Sequence, residues 1–184
     1  MYQRALTGKE KTLGVEHTST LNTVNNLGLL YVDKGKLKEA EQMYQRALTG
    51  HEKTLGAEHT SILDIVNNLG NLFSDQGKLD DAEKMYRRAL IGKEKVLGAD
   101  HTSTLNTVHK LGLLFRNQGK LDDAEKMYRR VLTGSTLDTI FTIGFLYHDQ
   151  GKLDEAEKMY QRALVGKEQT LGVEHISTLN TVCG

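Results

Sequence analysis

The chain has 184 residues, with 24 Lys and Arg against 24 Asp and Glu, so its formal net charge is zero and its pI lies near 7.1. That balance gives no electrostatic basis for nucleic acid or an anionic membrane as partner, and no apolar run approaches the roughly 18 residues of a membrane span. The single cysteine, Cys183, cannot form an internal disulfide, and the N-terminus lacks the charged and apolar regions of a secretory signal, which together point to a reducing, cytoplasmic setting.

The hexapeptide Met-Tyr-Gln-Arg-Ala-Leu opens the chain at Met1 and returns at Met43, with near-copies at Met85, Met127 and Met159. All five methionines hold this position, at spacings of 42, 42, 42 and 32 residues. A fixed period of about 20–50 residues marks a solenoid, whose units bury their apolar faces only against neighbours.

In chain order, residues 1–14 read as a partial second helix (helix B) of an incomplete repeat. Helix pairs follow over 19–56, 61–98, 103–134 and 135–172, then a partial first helix (helix A) over 176–184. In the first pair, Thr18 and Ser19 are the expected N-cap residues. Leu21, Val24, Leu27, Leu30 and Tyr31 recur at three- and four-residue steps and form the apolar stripe of helix A. Gly35 supplies the left-handed residue that ends it. Leu37, Ala40, Met43, Tyr44, Ala47 and Leu48 form the stripe of helix B, which closes near Leu55-Gly56. In later copies Asp80, Asp81 and Glu83 suit the positive end of the helix dipole. Glu83 with Arg87, and Glu125 with Arg129, add i,i+4 pairs worth about 0.2–0.5 kcal/mol each.

Gly28, Gly70, Gly112 and Gly144 lie inside helix A, where glycine costs about 1 kcal/mol relative to alanine. Their recurrence predicts a close approach by helix B, with Ala40, Ala82, Ala124 and Ala156 as the facing small residues. Tyr31, Phe73, Phe115 and Tyr147 are the expected fillers beside them. The fourth repeat lacks the equivalent of Lys93 to Thr102. There helix B is expected to stop near Leu132, with Gly134 as terminator and Ser135 capping the next helix A. The deletion either changes the stacking angle locally or merely trims a loop.

No reactive constellation is visible. The Gly-Lys pairs at Gly35, Gly77, Gly119 and Gly151 are followed by leucine and do not form a phosphate loop. His17, His59, His101 and His175 recur once per repeat and cannot converge on one metal. No Cys–His pairing or glycine-flanked serine elbow activates a nucleophile. No catalytic residue, metal site or cofactor is expected.

The pattern Leu27-Gly28-x-x-Tyr31 followed by Ala40, Tyr44 and Ala47 resembles the tetratricopeptide repeat. The 42-residue period, with Leu-Gly-x-Glu-His at Leu13 to His17, Leu55 to His59 and Leu171 to His175, resembles its kinesin-light-chain subclass; Asp100 replaces the Glu in Leu97 to His101. The phrases Asn22 to Gly28 and Asp75 to Asp80 look closest to fungal arrays attached to NACHT or NB-ARC nucleotide-binding modules. Val15, Ala57, Ala99 and Val173 stand where the family commonly has proline, and Val24, Val66, Val108 and Ile140 where shorter-period repeats often have tryptophan.

The resemblance implies an all-α, right-handed superhelix whose concave wall is lined by helix A, and a non-catalytic module that binds a protein or peptide. The groove positions are then Asn22, Asn25, Asn26 and Leu29 in the first pair, and Asp64, Asn67, Asn68 and Asn71 in the second. The third pair offers Asn106, His109, Lys110, Leu113 and Arg116, and the fourth Asp138, Phe141, Thr142, Phe145 and His148. An amide side chain both donates and accepts, so a column of them can grip the backbone of an extended ligand. Asn26 and Asn68 match the asparagine ladder of light-chain-type arrays, and Lys110 and Thr142 depart from it. Alternatively, these amides bond to adjacent helices or to water. In the second half, cations beside Leu113, Phe141 and Phe145 suit a peptide with an apolar anchor and acidic neighbours, unless the two phenylalanines pack internally. Met1 falls within a helix B and Thr181 to Gly184 within a helix A, so the chain is either a segment of a longer array or one that self-associates through exposed end helices. The larger context is expected to be a fungal signalling receptor, with a cargo adaptor or a structural oligomer as the rivals.

Overall fold

The computed structural model describes residues 2–132 and 137–172, and among these there are nine α-helices and no strand. They are α1 (Tyr2–Leu13), α2 (Thr18–Asp33), α3 (Leu37–Leu55), α4 (Thr60–Asp75), α5 (Leu79–Leu97), α6 (Thr102–Asn117), α7 (Leu121–Leu132), α8 (Leu137–Asp149) and α9 (Leu153–Leu171). They divide into two compact bodies, residues 1–107 and 108–184. The turn expected around Gly134 and Ser135, and the partial helix expected over 176–184, lie outside the described residues.

The helix ends follow a repeated local chemistry that departs from expectation at one side. The N-cap of α2 is His17, in extended conformation at φ −66° and ψ 136°, and its Nδ1 accepts the Ser19 N–H at 3.1 Å. His59 and His101 do the same for Ser61 (3.2 Å) and Ser103 (3.1 Å). Thr18 and Ser19 instead lie within the first turn. Nδ1 is carried on the ring Cγ as Oδ1 is on the Cγ of Asn, so a neutral imidazole can serve a cap in the same way. At the other end Gly35 adopts φ +69°, and Lys36 N–H donates to Tyr31 O while Gly35 N–H donates to Val32 O. That is the Schellman closure expected of a glycine at this place.

In the first body the cores are shared between pairs. Val24 on α2 and Ala40, Tyr44 and Ala47 on α3 join Ile65, Leu69 and Leu72 on α4 in one buried cluster. Ile62 and Val66 on α4 and Ala89 on α5 form a second, with Leu48 and Leu55 of α3 against it. The second body buries Leu111, Leu114 and Phe115 of α6, Ala124 and Tyr128 of α7, Ile140, Ile143 and Leu146 of α8, and Ala156 and Ala163 of α9.

Close approach at the helix A glycines is real, but the facing group differs from the expected alanines. A Cβ on Gly28 would lie 2.7 Å from Tyr44 Cε1, and one on Gly70 2.7 Å from the Tyr86 ring. Gly112 and Gly144 meet Tyr128 and Tyr160 at 2.6 and 2.5 Å. The alanines are buried close by, so the stripe was placed correctly and the contact was one turn out. A second series went unread: Gly50, Gly92 and Gly166 on helix B would clash with Leu21, Leu63 and Leu137 of helix A at 2.6, 2.3 and 2.3 Å. Three of the four pairs, α2–α3, α4–α5 and α8–α9, are therefore pinned at two levels by a large side chain laid on a glycine, and α6–α7 at the Gly112 level.

Gly70→Ala is expected to cost about 1–3 kcal/mol by overpacking against the buried Tyr86 ring. Gly8→Ala, in α1 with nothing within 4 Å of the added Cβ, should gain up to about 1 kcal/mol from helix propensity alone. Urea denaturation of both variants checks the contrast.

Candidate functional site

Helix A positions in i, i+4, i+7 register form one side of each first helix. On α2 this side carries Asn22, Asn26 and Leu29, all exposed; on α4 it carries Asp64, exposed, with Asn68 and Asn71 half-buried; on the start of α6 it carries Asn106, exposed. The side chains of Asn22, Asn26, Asn68 and Asn106 have no hydrogen-bond partner among the described residues. Each therefore presents an unspent donor and acceptor pair.

Two of the other amides are bonded within the fold. Asn67 Oδ1 accepts the Thr107 hydroxyl at 3.1 Å, bridging α4 and α6. Asn71 Oδ1 accepts the Tyr86 hydroxyl at 2.8 Å. Asn25 is half-buried, with its Oδ1 enclosed. One residue of register separates Asn26 and Asn68 from Asn25 and Asn67, because a step of one turns a side chain by about 100° around the helix; Asn71 shares the side of Asp64 and Asn68 but is held by Tyr86. Asp64 reaches Lys93 of α5 at 3.0 Å, and Lys93 is itself only 4% exposed.

In the second body His109 lies half-buried with its ring 5.6 Å from that of Tyr128, and Lys110 and Leu113 are half-buried on the same helix. Arg116 is engaged by Asp149 at 3.5 Å. Phe141, Phe145 and Tyr160 pack on one another with centroids 4.9, 5.4 and 5.5 Å apart, and the Lys167 ammonium stands 5.1 Å from the Phe141 ring. His148 is exposed beside Asp149. The side chain of Asp138 lies outside the described residues. The phenylalanines thus pack largely within their own pair, against the Tyr that also covers Gly144.

Burial raises the phenols that line each pair. The Tyr44 hydroxyl is pushed up to about 12 by desolvation, with the Asp33 charge adding. Tyr86 and Tyr128 are raised as well, chiefly by burial. Glu125 is the reverse case. Burial alone would raise its carboxyl, but a hydrogen bond from Gln150 and the charges of Lys152 and Arg129 outweigh that and hold it below the ordinary range.

One column escaped the sequence reading. Lys9, His51, Lys93 and Lys167 occupy the same place in successive helices B, in the recurring Gly-Lys/His-Glu or Gly-Lys-Glu step. His51, Lys93 and Lys167 are buried despite their polar heads. The recurrence at 42 residues (9, 51, 93) was the available signal.

No group of three or more His, Cys, Asp or Glu side chains converges among the described residues. An open depression of about 440 Å³ borders α3, lined in part by Val15, Leu21, Gly50, Arg46 and Lys53. Arg46 and Lys53 are already paired with Glu10 and Glu16 at 2.6 and 3.0 Å. No described helix is long and apolar enough to cross a membrane.

Family models described as tetratricopeptide repeat match residues 1–53, 24–90 and 61–136, and another of the same description matches 136–177. No curated protein matches the chain. Among solved structures the chain is similar to BtubC (BKLC) from P. vanneervenii, with TM-score 0.84 and 23% identity over 93% of this chain and 72% of that one. It is also similar to a putative kinesin light chain of nearly identical TPR-like repeats from Podospora anserina, with TM-score 0.78 and 23% identity over 90% and 83%. MamA follows with TM-score 0.67 and 20% identity over 92% and 86%. At these identities the likeness is one of fold.

The phenol shift gives a signed expectation. A folded pKa raised above the ordinary value near 10 contributes stability that is present below pH ~10 and lost as pH rises toward 12. Alkaline unfolding is therefore expected between these limits, with a shallower pH dependence in Tyr44→Phe. Denaturant midpoints measured at pH 9, 10.5 and 11.5 check it.

Proposed function

The chain belongs to the tetratricopeptide repeat family, and on that premise we propose that it is a non-catalytic interaction module which binds an extended peptide, or an extended segment of a protein, along the exposed sides of its helices A. Tetratricopeptide repeat proteins in general bind proteins or peptides, and no enzymatic family matches the chain. The observation that carries the proposal is the set of unspent amides at Asn22, Asn26, Asn68 and Asn106 in the first body. A peptide backbone offers alternating N–H and C=O groups, and a primary amide can pair with either without regard to the ligand's side chains.

The balance of charge on this side supports the same reading. Asp64, the one charged residue among these positions in the first body, is answered by Lys93, so its charge is partly offset beside the amides. In the second body Leu113, half-buried beside Lys110, is the candidate contact for an apolar ligand residue. The engagement of Arg116 by Asp149, and of Phe141 and Phe145 by Tyr160, shifts the emphasis of the proposal toward the first body.

A place within a larger fungal signalling receptor is part of the proposal, supported by the resemblance of Asn22 to Gly28 and Asp75 to Asp80 to such arrays. The full-length reading frame tests that part: an adjoining nucleotide-binding domain is the expected finding, and a coiled-coil heptad region would replace the receptor with an adaptor.

For binding itself, each amide is worth about 1 kcal/mol, or about fivefold in Kd. Asn26→Ala with Asn68→Ala should therefore weaken peptides selected from a random library by about 25-fold, while Gln42→Ala on the outside of α3 leaves them unchanged. Unaltered affinity in the double variant, with its circular dichroism intact, would remove the amide side as the binding surface.

A further inference from the structure

We propose that the seam between α3 and α4 is an acid-sensitive joint, held closed while the His51 imidazole is neutral and loosened when that ring takes up a proton. The observation behind it is a contrast within one column. Lys9 donates to Ser19 O at 3.2 Å and to Thr23 Oγ1 at 2.9 Å, and Lys93 meets the Asp64 carboxylate at 3.0 Å. Lys167 lies over the Phe141 ring. Each cation at this place in helix B has an acceptor or a π face to receive it.

His51 has neither. It is 0% exposed, and neither Nδ1 nor Nε2 has a hydrogen-bond partner among the described residues. The sequence explains why. Ile65 stands at the register of Thr23, so the hydroxyl that serves Lys9 is gone. Asn22 stands at the register of Asp64, so the carboxylate that serves Lys93 is gone too. A charged ring would therefore lack both the hydroxyl and the carboxylate that receive the lysines of this column.

The titratable and charged groups around the seam give no relief. On α2 they are Tyr31 and Asp33, both at the far end, Asp33 beside Tyr44. On α4 they are Asp64, taken by Lys93, and Asp75, at the far end, beside Tyr86. The α3–α4 junction adds Glu58, taken by Lys95, and His59. Burial, and then the repulsion of His59, hold the His51 imidazole below its ordinary range. His59 bears on the same seam, since its Nδ1 accepts the Ser61 N–H that starts α4 and a protonated Nδ1 cannot accept. Opening here would uncover the cluster that Tyr44 and Ala47 share with Ile65, Leu69 and Leu72.

The sign is fixed by linkage. A folded pKa below the unfolded value near 6.5 contributes stability that is present above that pH and lost as pH falls toward the folded pKa. Between pH 7.5 and 5.5, one such group that stays neutral in the folded state raises the opening equilibrium about tenfold, the largest change a single imidazole gives over this range. Native-state hydrogen exchange of the full chain at these two pH values, corrected for intrinsic exchange, reads that constant at the α4 amides. The expected result is an approximately tenfold rise in the unaltered chain, little or none in His51→Leu, and most of the rise retained in His59→Asn, which keeps a capping oxygen. An undiminished rise in His51→Leu would overturn the proposal. Should that variant not fold, NMR titration of the His51 ring decides in the native chain. A ring that stays neutral in the folded state to pH 5.5 supports the joint, and one that protonates above pH 6 with unchanged α4 exchange sinks it.

Discussion

A tyrosine ring laid against a glycine backbone fixes the distance between the two helices of every described pair. Tyr44 on Gly28, Tyr86 on Gly70, Tyr128 on Gly112 and Tyr160 on Gly144 leave no room for even a methyl group. The arrangement exchanges the helix propensity lost at glycine, about 1 kcal/mol, for the burial of a large aromatic face. Everything else in the repeat is placed relative to that contact. With helix B drawn so close, Ala40, Ala47 and their equivalents are enclosed without large side chains of their own. Helix B so placed also meets the next helix A, since Tyr44 and Ala47 share one buried cluster with Ile65 and Leu69.

Most of this was legible because it is periodic. The 42-residue spacing marked the repeats, the apolar stripes marked the buried sides, and Gly35 marked the end of α2 through the one backbone conformation that glycine alone adopts freely. What was not legible involves partners chosen across helices. Spacing along the chain says that Gly28 is crowded but does not say that Tyr44, rather than Ala40, crowds it. Capping preference favoured Thr18 and Ser19, whereas the cap is His17, a residue type that competes only when its ring nitrogen is neutral and held at the right height. Nor does the spacing show that the stems of Lys93 and Lys167 run into the interior and end on a local acceptor or ring.

The candidate binding side shows the same division between pattern and partner. Asparagine at positions 22, 25, 26, 67, 68, 71 and 106 offered a groove, with Asn26 and Asn68 matching the ladder, or else bonds to adjacent helices or water. The structure separates these side chains into amides that bond to the fold, such as Asn67 and Asn71, and amides that bond to nothing described, such as Asn26 and Asn68. Adjacent residues fall into different classes because the helix turns about 100° per residue. A composition-level reading cannot see that boundary, and a single step of register decides it.

The consequence is that helix A performs two tasks with separate sets of side chains. The inward register, with Asn67 on Thr107 and the His109 ring on Tyr128, belongs to packing. The outward register, with Asn22, Asn26 and Asn106, makes no demand on the fold. A substitution at an outward position therefore changes what the surface can recognise without touching the Gly–Tyr contact, while one at an inward position changes stability first and recognition only through it. His51 sits on the packing side of that division but carries a titratable group, so the solution pH reaches the stacking of the helices without passing through the binding surface at all. Recognition and stacking meet at a single register, where the outward Asp64 of α4 receives the buried Lys93 of α5 and Asn22 holds the same place on α2.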